Sequence, residues 1–160
     1  LDVTQVVRAG WQVVLEMAET VPAPPEVVWE LITDWEHQVD WMLEASDFVV
    51  TSTRRDGIGV EAEATIKIAG ITTRDKVRVV GWEPNRHLAI RHYGWVSGEG
   101  HIYLTPLEDN RTHVFWREEL NPPMGLVGAV GMTAFKPLMG RLFRRDLRVL
   151  AALARARSGS

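Results

Sequence analysis

Two side chains have the type and placement to do chemistry on a buried ligand. His92 shares a period-two face with Leu88 and Ile90, and an imidazole turned toward an apolar interior can give or take a proton near neutral pH. Glu118 shares a face with Thr112, Val114, Trp116 and Leu120, which sets a carboxylate beside a valine and a tryptophan. Together they are candidate acid–base groups for an enolisable ligand. Plainer roles fit the same positions: a strand-end histidine bonded to water or a carbonyl, and a glutamate in an ion pair at a wet rim. Asp75, on the face of Val77 and Val79, carries a weaker version of the argument.

Asp146 is a different kind of carboxylate. On a helical wheel it falls among Met139, Leu142, Leu150 and Leu153. A buried unpaired charge is costly, so it needs a partner or a proton. A structural tie to an arginine or to backbone donors fits it better than catalysis.

Other chemistries lack their residues. There is no cysteine, which excludes a disulfide framework, a thiolate zinc site and a cysteine nucleophile. His87 and His92 fall on opposite sides of one strand, His101 and His113 read as outward with Tyr103 and Arg117, and no two histidines stand four apart on a helix. Neither metal nor cofactor is expected. Gly57-Ile58-Gly59 lacks the rest of a phosphate cradle, and no Gly-x-Ser-x-Gly elbow exists.

The aromatic content points to a ligand instead. Seven tryptophans stand against two tyrosines and four phenylalanines. Trp11, Trp41, Phe48, Trp95, Trp116 and Phe135 can line a cavity that stacks on a flat or polyenic molecule. Ile66, Val77, Ile90, Val114, Met139 and Leu142 complete the candidate lining. Trp29 and Trp82 read as plain core.

These residues need elements to hold them. Alternation over 11–19 predicts a strand, Pro25 opens a helix through residue 33, and a second short helix covers 35–42. Six strands follow, near 48–51, 60–68, 73–79, 88–93, 101–105 and 112–120, with turn signals about every ten residues. After Gly125, Gly128 and Gly131 a long helix runs to about residue 156, its apolar stripe opposite Arg141, Arg144, Arg145, Arg148 and Arg155. The order β-α-α-β6-α implies an α+β layer arrangement. One helix cannot fill a large curved concavity, so a mostly apolar cavity is expected beneath it.

The stretch Ala23-Pro24-Pro25-Glu26-Val27-Val28-Trp29-Glu30-Leu31-Ile32-Thr33-Asp34 resembles the opening signature of the START-related, helix-grip SRPBCC superfamily, in its polyketide cyclase/dehydrase and lipid transport branch. Gly57 and Gly59, the turn from Trp82 to Leu88, the strand from Arg111 to Glu118, and Asp146-Leu147 with Leu150 agree with that pattern. The resemblance implies a helix-grip fold: a seven-stranded curved antiparallel sheet wrapped around a long C-terminal helix, with two short helices after strand 1. It also implies either carriage of a hydrophobic small molecule (lipid, quinone or polyketide-like) or aromatase/cyclase activity. No catalytic arginine or tyrosine of the cyclases matches an inner position, because parity points Arg91 and Tyr93 outward.

Length and composition set the remaining expectations. The chain has 160 residues, 46% apolar and 24% charged, with net charge -3. One domain over 1–160 is expected, with a core from about 11 to 156 and terminal segments 1–10 and 157–160. No apolar run approaches the ~18 residues of a spanning helix and no signal-like pattern opens the chain, so a cytoplasmic protein is expected. Mild acidity gives no field for nucleic acid. A monomer or homodimer that holds a hydrophobic small molecule is the leading expectation. Acid–base cyclisation in the same cavity is the alternative, and a protein or membrane contact through the basic helix face a second one.

Overall fold

The computed structural model describes residues 11–159. The elements are β1 (Val13–Val21), α1 (Pro25–Ile32), a 3-10 helix (Trp35–Asp40), β2 (Ala45–Val50), β3 (Glu61–Ile68), β4 (Ile71–Glu83), β5 (His87–Tyr93), β6 (Ser97–Leu107), β7 (Arg111–Asn121) and α2 (Gly125–Ser158). These seven strands form one antiparallel sheet in the order β1-β7-β6-β5-β4-β3-β2. Consecutive strands from β2 to β7 are neighbours, and a long crossover carries α1 and the 3-10 helix from β1 at one edge to β2 at the other. The α+β helix-grip arrangement expected from the sequence is the one observed.

Local sequence explains the entry and exit of each helix. Pro25 occupies the first turn of α1, where its missing N–H costs nothing. Val28, Trp29, Leu31 and Ile32 then bury one side of that helix. Thr112 Oγ1 donates to the Ala23 carbonyl at 2.7 Å, which fixes the start of α1 on β7. In the 3-10 segment the buried Gln38 side chain donates to the Ile32 carbonyl at 2.9 Å.

The last helix starts earlier than its glycines suggest. Gly125, Gly128 and Gly131 lie inside α2 rather than before it. Met124 and Gly125 enter through left-handed backbone, φ 61° and 55°. A Cβ on Gly128 would lie 1.7 Å from the Pro123 carbonyl oxygen, so this glycine lets the helix fold back on the chain leading into it. Pro137 sits within the helix, where it withholds one backbone donor.

The core lies between the concave face of the sheet and the C-terminal half of α2. Leu147, Leu150 and Ala154 of α2 are fully buried against that face, as is Val114 of β7. A bulge between Val79 and Gly81 shifts the β4–β5 register so that Trp82 pairs with Leu88 on the inner side. Trp82 meets the edge of Trp29, ring centroids 5.0 Å apart, so both tryptophans serve the core. The N-terminal half of α2 packs less fully: Leu126, Val127, Val130 and Phe135 are exposed. The space left there leads to the site.

Candidate functional site

Three strands bring three ionisable side chains to one point. In β4, Asp75 stands two residues before Val77, and Val77 pairs with His92 of β5. Glu118 of β7 pairs with Gly100 of β6, which separates it from β5 by one strand. Asp75 Oδ2 lies 2.6 Å from His92 Nδ1. His92 Nε2 lies 3.2 Å from Glu118 Oε2, an ion-pair distance that lacks the alignment of a hydrogen bond. Trp116 Nε1 donates to Glu118 Oε1 at 2.7 Å and holds that carboxylate in place.

Two glycines make the room. A Cβ on Gly100 would come within 2.4 Å of Glu118 Oε1, and one on Gly94 within 3.0 Å of Asp75 Oδ1. Each carboxylate therefore occupies space that any other residue opposite it would fill.

The electrostatics keep His92 charged. Burial opposes the imidazolium, but the Glu118 charge and the hydrogen bond that His92 Nδ1–H donates to Asp75 outweigh it and raise the pKa to about 10. At neutral pH the ring is a donor at both nitrogens. Asp75 Oδ1, His92 Nε2 and Glu118 Oε2 are buried without a hydrogen-bond partner, and so is Trp41 Nε1. Buried polar atoms in a folded protein are normally satisfied, so four such atoms on residues that line one cavity are unusual.

The residues bearing these atoms line an apolar cavity of about 60 Å³, with Trp41, Phe48, Ile66, Val77, Ile90 and Trp116 among its walls. A second cavity of about 170 Å³ shares Asp75, His92, Trp116 and Glu118 and extends past Trp95, Met139 and Phe143. That one shares Ile66, Ile68, Trp95, Met132 and Met139 with an open mouth of about 430 Å³, whose rim carries Ile71, Val127 and Phe135. An apolar passage thus runs from the surface at the N-terminal half of α2 to the Asp75–His92–Glu118 cluster.

A family profile described as polyketide cyclase / dehydrase and lipid transport matches residues 12–155. The chain belongs to that family. Among solved structures, it is similar to TTHA0849 from Thermus thermophilus, with TM-score 0.78, 19% identity, and coverage of 91% of this chain and 99% of that one. It is similar to the ZhuI aromatase/cyclase from Streptomyces sp. R1128, with TM-score 0.76, 20% identity, and coverage of 91% and 95%. A START superfamily protein from Mycobacterium smegmatis follows at TM-score 0.68, 17% identity, and coverage of 91% and 97%. At these identities the likeness establishes the fold. Among curated proteins no match is found.

Within this family frame the residues singled out in the sequence separate into three groups. His92, Glu118, Trp41, Phe48, Ile66, Val77, Ile90, Trp116 and Met139 converge on the two inner cavities. Trp95 and Phe135 stand at the mouth, 61% and 47% exposed. Trp11, Val114 and Leu142 line none of these cavities. Trp11 lies ahead of β1, which begins at Val13, and is 36% exposed. Val114 is fully buried in the core, one inner position deeper than Trp116. Leu142 is one helical step from Phe143, and that step turns it off the face that Met139 and Phe143 present.

Asp75 is the partner that strand parity undervalues. Its signal is the register that sets Val77 against His92. Arg91 is outward, with Nη2 2.8 Å from Glu99 Oε2, and Tyr93 is 51% exposed. Neither reaches the cavity.

Asp146 finds the backbone and arginine ties its position calls for through Oδ1, while Oδ2 is buried without a hydrogen-bond partner. Leu43 N–H donates to its Oδ1 at 3.3 Å, and Arg145 Nη2 lies 3.8 Å from the same oxygen. Arg145 also donates to Glu44 Oε1 at 2.6 Å. Burial, followed by the hydrogen bond and charge of Glu44, pushes the Asp146 carboxyl well above the usual carboxylate range. This cluster pins the segment before β2 to α2 and so holds one wall of the passage, to which Glu44 contributes.

On the outer face His87 and His101 bond to each other at 2.9 Å and stack with Tyr103. Among the described residues no group of three or more histidine, aspartate or glutamate side chains is placed to hold a metal ion. No helix among them is long and apolar enough to cross a membrane.

Proposed function

We propose that the protein binds a hydrophobic small molecule in the passage between the sheet and α2, with one polar end of the ligand at His92 and Glu118. The observation that carries this reading is the pairing of an apolar cavity, open to the surface, with buried polar atoms at its closed end that lack a hydrogen-bond partner. Membership of a family described by polyketide cyclase/dehydrase and lipid transport agrees with it. The walls for the apolar part are Trp41, Phe48, Ile66, Val77, Ile90, Trp116 and Met139, with Trp95 and Phe135 at the entrance. Burial of apolar ligand surface at about 25 cal/mol per Å² supplies the driving force without a charged clamp.

Native mass spectrometry of freshly purified protein, followed by solvent extraction, tests the reading. A retained lipid, quinone or polyketide-like mass that is lost in Trp116→Ala supports it. Protein that stays empty and binds no hydrophobic probe refutes it.

A second reading, acid–base cyclisation of a polyketide chain, draws support from the geometry of His92. Asp75 fixes the ring and the local charges keep it protonated, so His92 suits a general acid, and Glu118 is the group able to accept a proton. Turnover of a poly-β-keto surrogate that fails in both His92→Ala and Glu118→Gln would favour this reading over simple carriage.

A further inference from the structure

Charged side chains gather at the closed end of the passage. Asp75 contributes a carboxylate from β4, Glu118 one from β7, and His92 a ring from β5 between them. With the imidazolium present, two negative charges face one positive. Further along the passage Glu44 adds a carboxylate that Arg145 already engages, with Asp146 behind it on α2. Among the described residues Arg74 is the other cation on the lining; its side chain is exposed and alternates to the opposite side of β4 from Asp75. The inner end therefore carries an excess of negative charge.

The unsatisfied atoms add a second restriction. Asp75 Oδ1 and Glu118 Oε2 can only accept, whereas His92 Nε2 and Trp41 Nε1 can only donate. A hydroxyl both gives and receives a hydrogen bond and serves both kinds. An ether or an unadorned ring leaves the acceptors unused. A carboxylate brings a third negative charge into a poorly solvated site, where like charges repel strongly.

Resting on the reading that the passage holds a hydrophobic small molecule, we infer that its ligand is uncharged and presents a hydroxyl, as a phenol or alcohol does, to the Asp75–His92–Glu118 cluster, and that carboxylic acids of the same shape are rejected. Hydrophobic shape then sets affinity and the head group sets choice. The aromatic walls of Trp41, Phe48 and Trp116 favour a ring next to the hydroxyl.

Calorimetric titration of the whole chain at neutral pH with 4-butylphenol, 4-butylanisole and 4-butylbenzoate tests this. The expected order is phenol over anisole over benzoate, with phenol at least tenfold tighter than benzoate. Glu118→Gln, which keeps an acceptor for the Trp116 indole while removing a charge, should shrink the phenol–benzoate gap severalfold. Benzoate that binds as tightly as phenol overturns the inference, as does anisole equal to phenol or a gap unchanged in Glu118→Gln. If none of the three binds, the hydrophobic-ligand reading itself fails. Anisole that binds without discrimination against benzoate sinks only the head-group assignment.

Discussion

At the scale of single residues, His92 controls how the site responds to pH. Its pKa rises from 6.5 to about 10 in the folded protein. Between those values the folded state holds a proton that the unfolded chain has released, so stability falls as pH rises through this window. The contribution is whole below pH 6.5 and gone above about 10. Urea titrations of wild type and His92→Gln should show a wild-type advantage at pH 6 that vanishes by pH 10; a constant difference would mean that His92 is neutral when buried. Asp146 works in the same direction, because its raised pKa also makes the folded state bind the extra proton. Asp146→Asn, which needs no proton to stay neutral, should gain on wild type as pH rises from 5 to 8, whereas Asp146→Ala loses the bond from Leu43 N–H and about 1–3 kcal/mol. Denaturation midpoints over that range decide the matter. The sequence announces Asp146 as a buried charge in an apolar stripe, but its partner Glu44 comes before β2 in the chain and has no period linking it to α2.

At the scale of elements, two glycines of β6 make a controlled comparison. The nearest atoms to a Cβ on Gly100 are those at the end of the Glu118 side chain, while a Cβ on Gly98 would lie 1.9 Å from the Glu119 backbone oxygen, at φ +140°. Gly100→Ala should fold, cost about 1–3 kcal/mol and displace the carboxylate, lowering the His92 pKa. Gly98→Ala should cost more and yield little folded protein. Thermal melts and histidine NMR titration check both; equal behaviour of the two variants would show that Glu118 does not depend on the gap. Strand alternation makes His92, Glu118, Trp116 and Ile90 readable as one inner surface, because a period of two needs only a few residues to declare itself. Helix starts are less readable: triplet glycines look like a loop, yet Gly128 belongs to α2 because the chain crosses itself there. Trp11 misleads for a related reason, since alternation continues past the point where β1 stops pairing. The Val79–Gly81 bulge changes parity, and its mark in the residue pattern is a single glycine, Gly81.

At the scale of the whole molecule, the order of elements is legible in the sequence and the shape of the void is not. Seven amphipathic strands and one long helix dictate a sheet and a cover, but whether the cover fills the concavity depends on side-chain volumes summed across both layers. Here the C-terminal half of α2 fills it with Leu147 and Leu150, and the N-terminal half leaves the passage. A ligand that occupies that passage binds only the folded state, so saturation at one hundred times Kd should add about 2.7 kcal/mol of stability. A melting-temperature rise with 4-butylphenol in wild type, absent in Trp116→Ala, is the expected outcome, and equal shifts in both proteins would place binding elsewhere. The most direct test follows ring nitrogen and indole N–H resonances in an NMR titration with 4-butylphenol. Saturable shifts of His92, Trp41 and Trp116, with the exposed His37 unmoved, are the predicted result. Unperturbed His92 and Trp116 signals at saturating ligand would contradict the account.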